Sequence, residues 1–531
     1  MSTPRGLPPI DPAANLAAAQ DAHARTRPDA EALIDGAVRL THAQLAGRIA
    51  HTATHLRASG INTGQLIGVA LGDHAAHVIV MLALARIGAV LLPLDHRWTT
   101  GEQERVAKHF GAACVLVEAG HAIAGTRNLT IDQAWLRATE VAVPDPVIAP
   151  GGGAPLLVSL SSGTTGRPKG PRISHAHFLA RFRTHWINLG FVPDDCFVCA
   201  TPLYFGAGRT FVWSTLYAGG KVVLAPPPFD PPSLLDTLAR EHASTLFLVP
   251  TQLRRLLVEY DHEHSDTNAG ASAHAAPSAF APLLRLRLLF SSGAPLVRDE
   301  RLAIRARLNP RFCEYYASTE GGGVTLLTAA DIDAHADSVG RAVQGVEVQI
   351  VDEAHQMLPP GEVGRLRYRS PGCATGFYLD DAASTDAFHD GWFYPGDLAR
   401  LDADGFLTLA GRAKDMIIRG GINIYPEEIE AVLRAHPAVY DAAVTGIASL
   451  DQGEEIAAFV VFKPGASAPQ ADALRAWCSE RLAPYKQPRL VEVLDTLPRN
   501  SSGKVLKAAL AERVKSTDML PRAAEKPMDR A

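Results

Sequence analysis

The sequence predicts an α/β protein. It has a large N-terminal domain of layered α/β sheets, a small β-barrel-like subdomain, and then a small α+β C-terminal domain. Three observations carry this expectation. Strand-like apolar runs alternate with helix-like ones to about residue 320, the mark of parallel layers with ligand sites at strand ends. Between about 340 and 411 the pattern shortens to alternating strands and turns, and after Gly411 a compact unit opens with a helix at Pro426. The 531 residues, 47% hydrophobic and 20% charged, suit a globular enzyme with a sizeable core.

In chain order, Leu66 to Leu71 reads as a strand, residues 74–86 as a helix and 89–94 as a strand. Further strands are read at Leu156 to Leu160, Lys221 to Ala225, Thr245 to Val249 and Leu283 to Phe290. Asp230 and Pro231 open a helix as cap and first-turn proline. Val346 to Val351, Arg365 to Arg369 and Phe406 to Leu409 alternate as short strands, with Asp404-Gly405 marking a hairpin. Residues 261–280 are of low complexity and read as a mobile surface loop, and the tail beyond about Lys515 reads as disordered. No internal repeat is apparent.

Composition excludes several classes. The net charge of −5, with both signs interspersed, offers no basic field for nucleic acid or anionic lipid. The opening MSTPRGLPP lacks the basic-then-apolar pattern of a signal peptide. The apolar stretch Val78 to Leu94 contains Arg86, Gly88 and Pro93, which suits a core helix followed by a strand better than a membrane span. A cytoplasmic protein, monomeric or homodimeric, is expected. Cys196 and Cys199 form an isolated CxxC, read as small hydrophobes on a buried strand rather than zinc ligands. His175 and His177 follow Ser174, which reads as a helix cap.

The segment SSGTTGRPKG, Ser161 to Gly170, is the most informative. It offers successive hydroxyls and backbone N–H groups with a lysine close behind, the groups that wrap polyphosphate oxygens. On composition alone a flexible Ser/Gly linker fits as well. Four further segments favour the phosphate reading together. YYASTEG, Tyr315 to Gly321, ends a strand-like run on a carboxylate suited to Mg²⁺. WFYPGD, Trp392 to Asp397, presents an acid after a turn, suited to a ribose diol. GRAKDMIIRGGINIYPEEIE from Gly411 and PRNSSGKVLK from Pro498 complete the set. Spacing in residues 161–170 is not that of a GxxxxGK[ST] loop.

These five segments, with SSGAPL from Ser291, resemble the adenylate-forming superfamily of acyl-CoA synthetases, peptide-synthetase adenylation domains and luciferases. The resemblance is strongest to carboxylate–CoA ligases and runs from about residue 10 to 515. It implies a core domain over 1–411, a mobile lid domain over 412–515 and a tail over 516–531. It also implies ATP, Mg²⁺ and coenzyme A as cofactor and co-substrates. A carboxylic acid becomes an acyl-adenylate with release of pyrophosphate, and the acyl group then passes to CoA.

By the same resemblance, Ser161, Ser162, Gly163, Thr164, Thr165, Gly166 and Lys169 contact the β- and γ-phosphates. Gly293, Ala294, Pro295 and Tyr316 flank the adenine. Thr319 and Glu320 contact phosphate and magnesium, Asp397 and Arg412 hold the ribose, and Lys504 is the catalytic lysine. Lys414 takes the hinge position, and Gly420 and Gly421 form the loop that admits pantetheine. Lys486 and Arg489 are candidate partners of CoA phosphates, or ordinary surface charges. The acyl pocket is expected near Tyr204, Phe205, Thr210, Val249, Gly293 and Gly322 to Val324. Small residues at Gly206, Gly208 and Gly321 to Gly323 are expected to leave room for a ring or medium chain. Arg209 is expected to snorkel to the surface, with recognition of a distal carboxylate as the alternative.

This chain departs from the family pattern at Ala317, Pro395 and Phe205, the last standing where many relatives have histidine. No acid occurs in PLYFGAG, Pro202 to Gly208, to pair with an α-amino group, which disfavours amino-acid substrates. The resemblance leaves two further functions open: acyl transfer to a separate carrier protein, and a catalytically silent nucleotide-binding relative.

Overall fold

The computed structural model describes residues 11–160, 168–225, 227–267, 278–419, 422–449, 453–463, 465, 470–499 and 504–516. Ser161 to Gly166, Gly420 and Gly421, the central part of the low-complexity segment and the tail lie outside the described residues. The chain forms two compact units. One comprises residues 1–348, 367–395 and 405–407, the other residues 349–366, 396–404 and 408–531.

The larger unit is built on two sheets. The nine-stranded sheet runs in the order Arg341–Ala342, Gly322–Leu327, Cys313–Ser318, Leu288–Ser291, Thr245–Leu248, Cys196–Cys199, Lys221–Leu224, Glu31–Asp35 and Val38–Thr41. Its inner strands are parallel, with Phe290 opposite Cys313, Thr245 opposite both Leu288 and Phe197, and Lys221 opposite Cys196. The six-stranded sheet runs Asn128–Ile131, Cys114–Glu118, Leu66–Ala70, Val90–Pro93, Pro155–Val158 and Arg172–Ser174. Fully buried strands such as Cys196–Cys199 and Thr245–Leu248 explain the continuous apolar runs in the sequence.

Helices start where the chain supplies caps. Ser174 accepts from the His177 amide ahead of His175–Leu189, and Asp230 accepts from Ser233 ahead of Pro231–Arg240. Helix Ala75–Ile87 is buried on nearly every face, so the Val78 to Leu94 run is core. Among the described residues no helix is long and apolar enough to cross a membrane. Cys196 and Cys199 are buried, and burial pushes their thiols up to about 11 and about 12, which keeps them protonated.

Two expectations need correction. Leu283 to Phe290 is not one strand: Ala281–Arg285 is a short helix, and only Leu288–Ser291 pairs in the sheet. Asn309 caps that break by donating to the carbonyls of Leu283 and Leu286. The low-complexity segment is partly regular as well, because helix Pro250–Thr267 continues into it.

The smaller unit has a five-stranded sheet in which Ile422–Ile424, Ile417–Arg419, Gly453–Phe462 and Val439–Ser449 are successive neighbours. Leu490–Val493 joins parallel to Gly453–Phe462. Helices Pro426–Arg434 and Ala471–Ser479 pack on it through Ile429, Leu433, Leu474 and Cys478. Gly364 and Arg365 pair with Ala399 and Leu398 within the same unit.

One glycine is fixed by a close approach. Gly340 has φ +92° and a Cβ there would lie 2.0 Å from the Leu326 carbonyl carbon, whereas Gly345, at φ +87°, has nothing within 4 Å. Gly340→Ala is therefore expected to lower the unfolding free energy by about 3 kcal/mol or more, and Gly345→Ala by about 1 kcal/mol. Denaturant unfolding of the two variants measures the difference; equal losses would contradict the packing account.

Candidate active site

In the larger unit, four neighbouring parallel strands deliver the predicted residues at their carboxyl ends. Cys196–Cys199 leads to Tyr204 and Phe205, and Thr245–Leu248 leads to Val249. Leu288–Ser291 leads to Gly293, Ala294 and Pro295, and Cys313–Ser318, which carries Tyr316, leads to Thr319 and Glu320. These strands are adjacent in the sheet, so the segments emerge side by side. The carboxyl edge of a parallel sheet is where α/β folds bind ligands.

The Thr319-Glu320 turn is held by a cation the sequence did not flag. Arg181, on helix His175–Leu189, donates from Nη1 to the Thr319 carbonyl at 3.2 Å and from Nη2 to the Glu320 carbonyl at 2.6 Å. Its Nε donates to the Gly372 carbonyl at 2.8 Å, and the Ala374 amide also donates to the Glu320 carbonyl. Burial disfavours the Arg181 charge and lowers its pKa. The Ser318 hydroxyl completes the turn, accepting from the Gly321 amide and bonding the Tyr368 hydroxyl at 2.6 Å.

That packing overturns the expectation that Gly321 to Gly323 leave room for substrate. A Cβ on Gly321 would stand 2.2 Å from the Tyr368 ring, on Gly322 2.9 Å from Arg181, and on Gly323 1.5 Å from the Tyr315 hydroxyl. Gly208 is likewise closed, by the carbonyls of Pro202 and Thr201. Of the glycines expected to line the acyl pocket, Gly206 and Gly293 have open space where a side chain would be. The glycines of this turn serve the protein's own packing.

Arg209 also departs from expectation. It is 2% exposed and does not snorkel. Its Nη1 donates to the carbonyls of Leu203 and Tyr204, and Nη2 to the Ser159 hydroxyl. Lys169 lies 5.1 Å from the Phe377 ring centroid, and the Gly170 carbonyl beside it accepts from the Tyr378 amide.

The smaller unit gathers Asp397, Arg412, Lys414 and Lys504. Arg412 Nε donates to Asp397 Oδ1 at 2.9 Å, and the Ala413 amide to the Gly396 carbonyl. Lys414 is exposed, 3.9 Å from the Asp415 carboxylate. Burial, then the Arg412 charge, lowers the Lys504 ammonium to about 8, while Asp397 opposes the shift. Lys504 follows Arg499, which pairs with Asp441, and precedes Lys507, whose ammonium lies 2.8 Å from Glu430. Arg499 bridges Val505, and the Leu506 amide donates to the Pro498 carbonyl, so the flanks of this segment are pinned.

Glu430 in turn accepts from Arg434 and from the Val444 amide, and burial pushes the neighbouring Glu427 carboxyl up. The Glu427 carboxylate fills the space a Cβ on Gly411 would need. Sequence reading took PEEIE only as a helix start; the approach of Lys507 to its carboxylates is a tertiary fact. Lys486 is paired with Glu428 at 2.7 Å, and Arg489 shares Glu455 with Arg419. A CoA phosphate at either would compete with an existing carboxylate.

The chain matches the family described as AMP-binding enzyme over residues 20–378, and the AMP-binding enzyme C-terminal domain over residues 428–504. A feruloyl-CoA synthase of Amycolatopsis is 32% identical over 500 residues, covering 92% of this chain and 97% of that one. The ATP-bound crystal structure of MatB from Rhodopseudomonas palustris superposes with a TM-score of 0.82 at 29% identity, covering 94% of this chain and 99% of that one. The o-succinylbenzoate CoA synthetase of Bacillus subtilis, in complex with its acyl-adenylate intermediate, gives a TM-score of 0.82 at 26% identity, covering 93% and 97%.

The electrostatics around Lys504 make a signed prediction. Because the Arg412 charge helps hold the Lys504 ammonium down, Arg412→Gln should move its titration midpoint above about 8. Asp397→Asn should move it lower. Competitive acylation of the lysines across pH, read by mass spectrometry, gives the midpoint; no movement in either variant would contradict the arrangement.

Proposed function

We propose that this chain, which belongs to the AMP-binding enzyme family and is an AMP-forming acid–thiol ligase, activates an apolar aromatic, alicyclic or fatty acid with ATP and Mg²⁺ and transfers it to CoA. In the first half-reaction a substrate carboxylate oxygen attacks the α-phosphorus of ATP. The bond to the bridging oxygen breaks, and pyrophosphate leaves with the electron pair. In the second, the CoA thiolate attacks the acyl carbon and AMP departs. The supporting observation is the alignment of Tyr204, Val249, Gly293 and Thr319-Glu320 at adjacent strand ends.

The Lys504 ammonium, on this reading, bridges the carboxylate and phosphate oxygens and stabilises the charge that builds on them as pyrophosphate leaves. Asp397 and Arg412 orient the ribose, and Lys169 and Thr319 bind phosphate oxygens. Among the described residues no three His, Cys, Asp or Glu side chains gather as a metal site. Mg²⁺ takes one or two carboxylates plus phosphate oxygens, so a single carboxylate beside the phosphates fits it. Glu320 would hold the ion, which would neutralise phosphate charge. Residues 412–515 are read as a lid turning at Lys414, with Gly420 and Gly421 replacing Lys504 for the thiol step.

The apolar substrate is read from Tyr204, Phe205 and Val249, and an aromatic acid is favoured because two of the similar proteins are a feruloyl-CoA synthase and an o-succinylbenzoate CoA synthetase. Pyrophosphate release should be tested with cinnamate, cyclohexanecarboxylate, octanoate and glutarate, each with and without CoA. Continuous CoA-dependent release with cinnamate, and a thioester product, is the expected result. A single equivalent of pyrophosphate per enzyme, unaffected by CoA, would instead indicate a carrier-protein acceptor.

A further inference from the structure

Three charged side chains, Asp73, Arg97 and Arg209, hold Leu203 and Tyr204. Asp73 Oδ1 accepts from the Leu203 amide at 2.6 Å. The Tyr204 hydroxyl accepts from Arg97, which is itself fixed by two 3.0 Å bonds to Asp95. Arg209 Nη1 donates to the Leu203 carbonyl at 3.2 Å and the Tyr204 carbonyl at 2.9 Å. Its Nη2 donates to Ser159 Oγ at 3.1 Å, and Ser159 closes the strand Pro155–Val158 in the other sheet of this unit.

Arg209 is costly to keep there. It is 2% exposed, its acceptors Leu203, Tyr204 and Ser159 are all neutral, and its Nε–H finds no acceptor among the described residues. A buried guanidinium without a carboxylate is destabilising unless its geometry serves something. What it does here is span. A planar fork with several donors reaches two chain segments at once, which a lysine ammonium on a flexible stem does far less well. Helix Gly206–Ala218 places the side chain between them from its first turn, with the Trp213 ring 6.0 Å from the guanidinium.

We propose that Arg209 is a positioning residue for the carboxylic acid substrate, tying Leu203 and Tyr204 to Ser159 so that the Tyr204-Phe205 wall of the acyl site keeps its shape. This rests on the reading of that segment as the acid-binding wall. Arg209 itself touches no substrate; it acts through the two carbonyls it holds. Loss of the tie therefore weakens binding of the acid and leaves ATP binding and the chemical step nearly as they were.

Ser159→Ala is the sharper test, because the Ser159 hydroxyl accepts from Arg209 and lies on the far side of it from the wall's carbonyls. Steady-state kinetics should use the best acid of the panel above, with unfolding midpoints measured in parallel. The expected result is a rise of about tenfold in KM for the acid, with KM for ATP and kcat within about twofold of wild type. Arg209→Lys, which keeps the charge but not the fork, should move the acid KM in the same direction and further. An unchanged acid KM with a lowered kcat or unfolding midpoint in Ser159→Ala would overturn the proposal, reducing the bond to a structural one. Loss of glutarate turnover alone in Arg209→Lys would also overturn it, since Arg209 would then bind a second carboxylate directly. A wild-type enzyme inert with every acid would overturn the ligase reading, and this inference with it.

Discussion

The turn that presents Thr319 and Glu320 depends on a guanidinium buried beneath it. Arg181 binds the carbonyls of Thr319, Glu320 and Gly372, and the Glu320 carbonyl also accepts from the Ala374 amide. A buried carbonyl left unpaired costs about 1–3 kcal/mol, and one side chain reaches all three. Its packing also dictates the residues that follow. Gly322 must be bare because Arg181 occupies the place of its Cβ, and Gly321 and Gly323 are bare for Tyr368 and Tyr315. The charge is kept although burial works against it, which argues that geometry at the strand end is what the site needs most.

The smaller unit solves a related problem with opposite charges. Lys504 lies near Asp397 and Arg412 on a segment flanked by Leu497, Val505 and Leu510, which pack in one apolar cluster. Ion pairs at its flanks, Arg499 to Asp441 and Lys507 to Glu430, add to that packing. Partly buried pairs of this kind are costly to break from one side, because the remaining charge is left without a partner. The lysine itself is lowered to about 8 by burial and by the Arg412 charge.

Much of this was legible in the chain. Buried strands such as Cys196–Cys199 announced themselves as unbroken apolar runs, and Ser174, Asp230 and Pro426 marked helix starts by local chemistry. The Thr319-Glu320 segment was legible because it places polar residues in a turn at the end of a strand-like run. What was hidden depends on partners far apart in sequence. Arg181 reads as one more helical cation until its carbonyl partners, about 140 to 190 residues away, are known. Arg209 looked free to reach solvent, and the three glycines looked like space, because sequence alone does not reveal which side chain fills a gap. The break at Leu286 and Arg287 was masked by a leucine-rich run that suits helix and strand equally.

The claim on which the account turns is that Lys504 serves the adenylation step and not the thiol step. The direct measurement is Lys504→Ala assayed in each half-reaction separately: acyl-adenylate formation from ATP and acid, and thioester formation from a synthetic acyl-adenylate and CoA. The account predicts that adenylation falls by about 10²- to 10³-fold while thioester formation stays near the wild-type rate. Adenylation at the wild-type rate, or an equal loss in both halves, would contradict it.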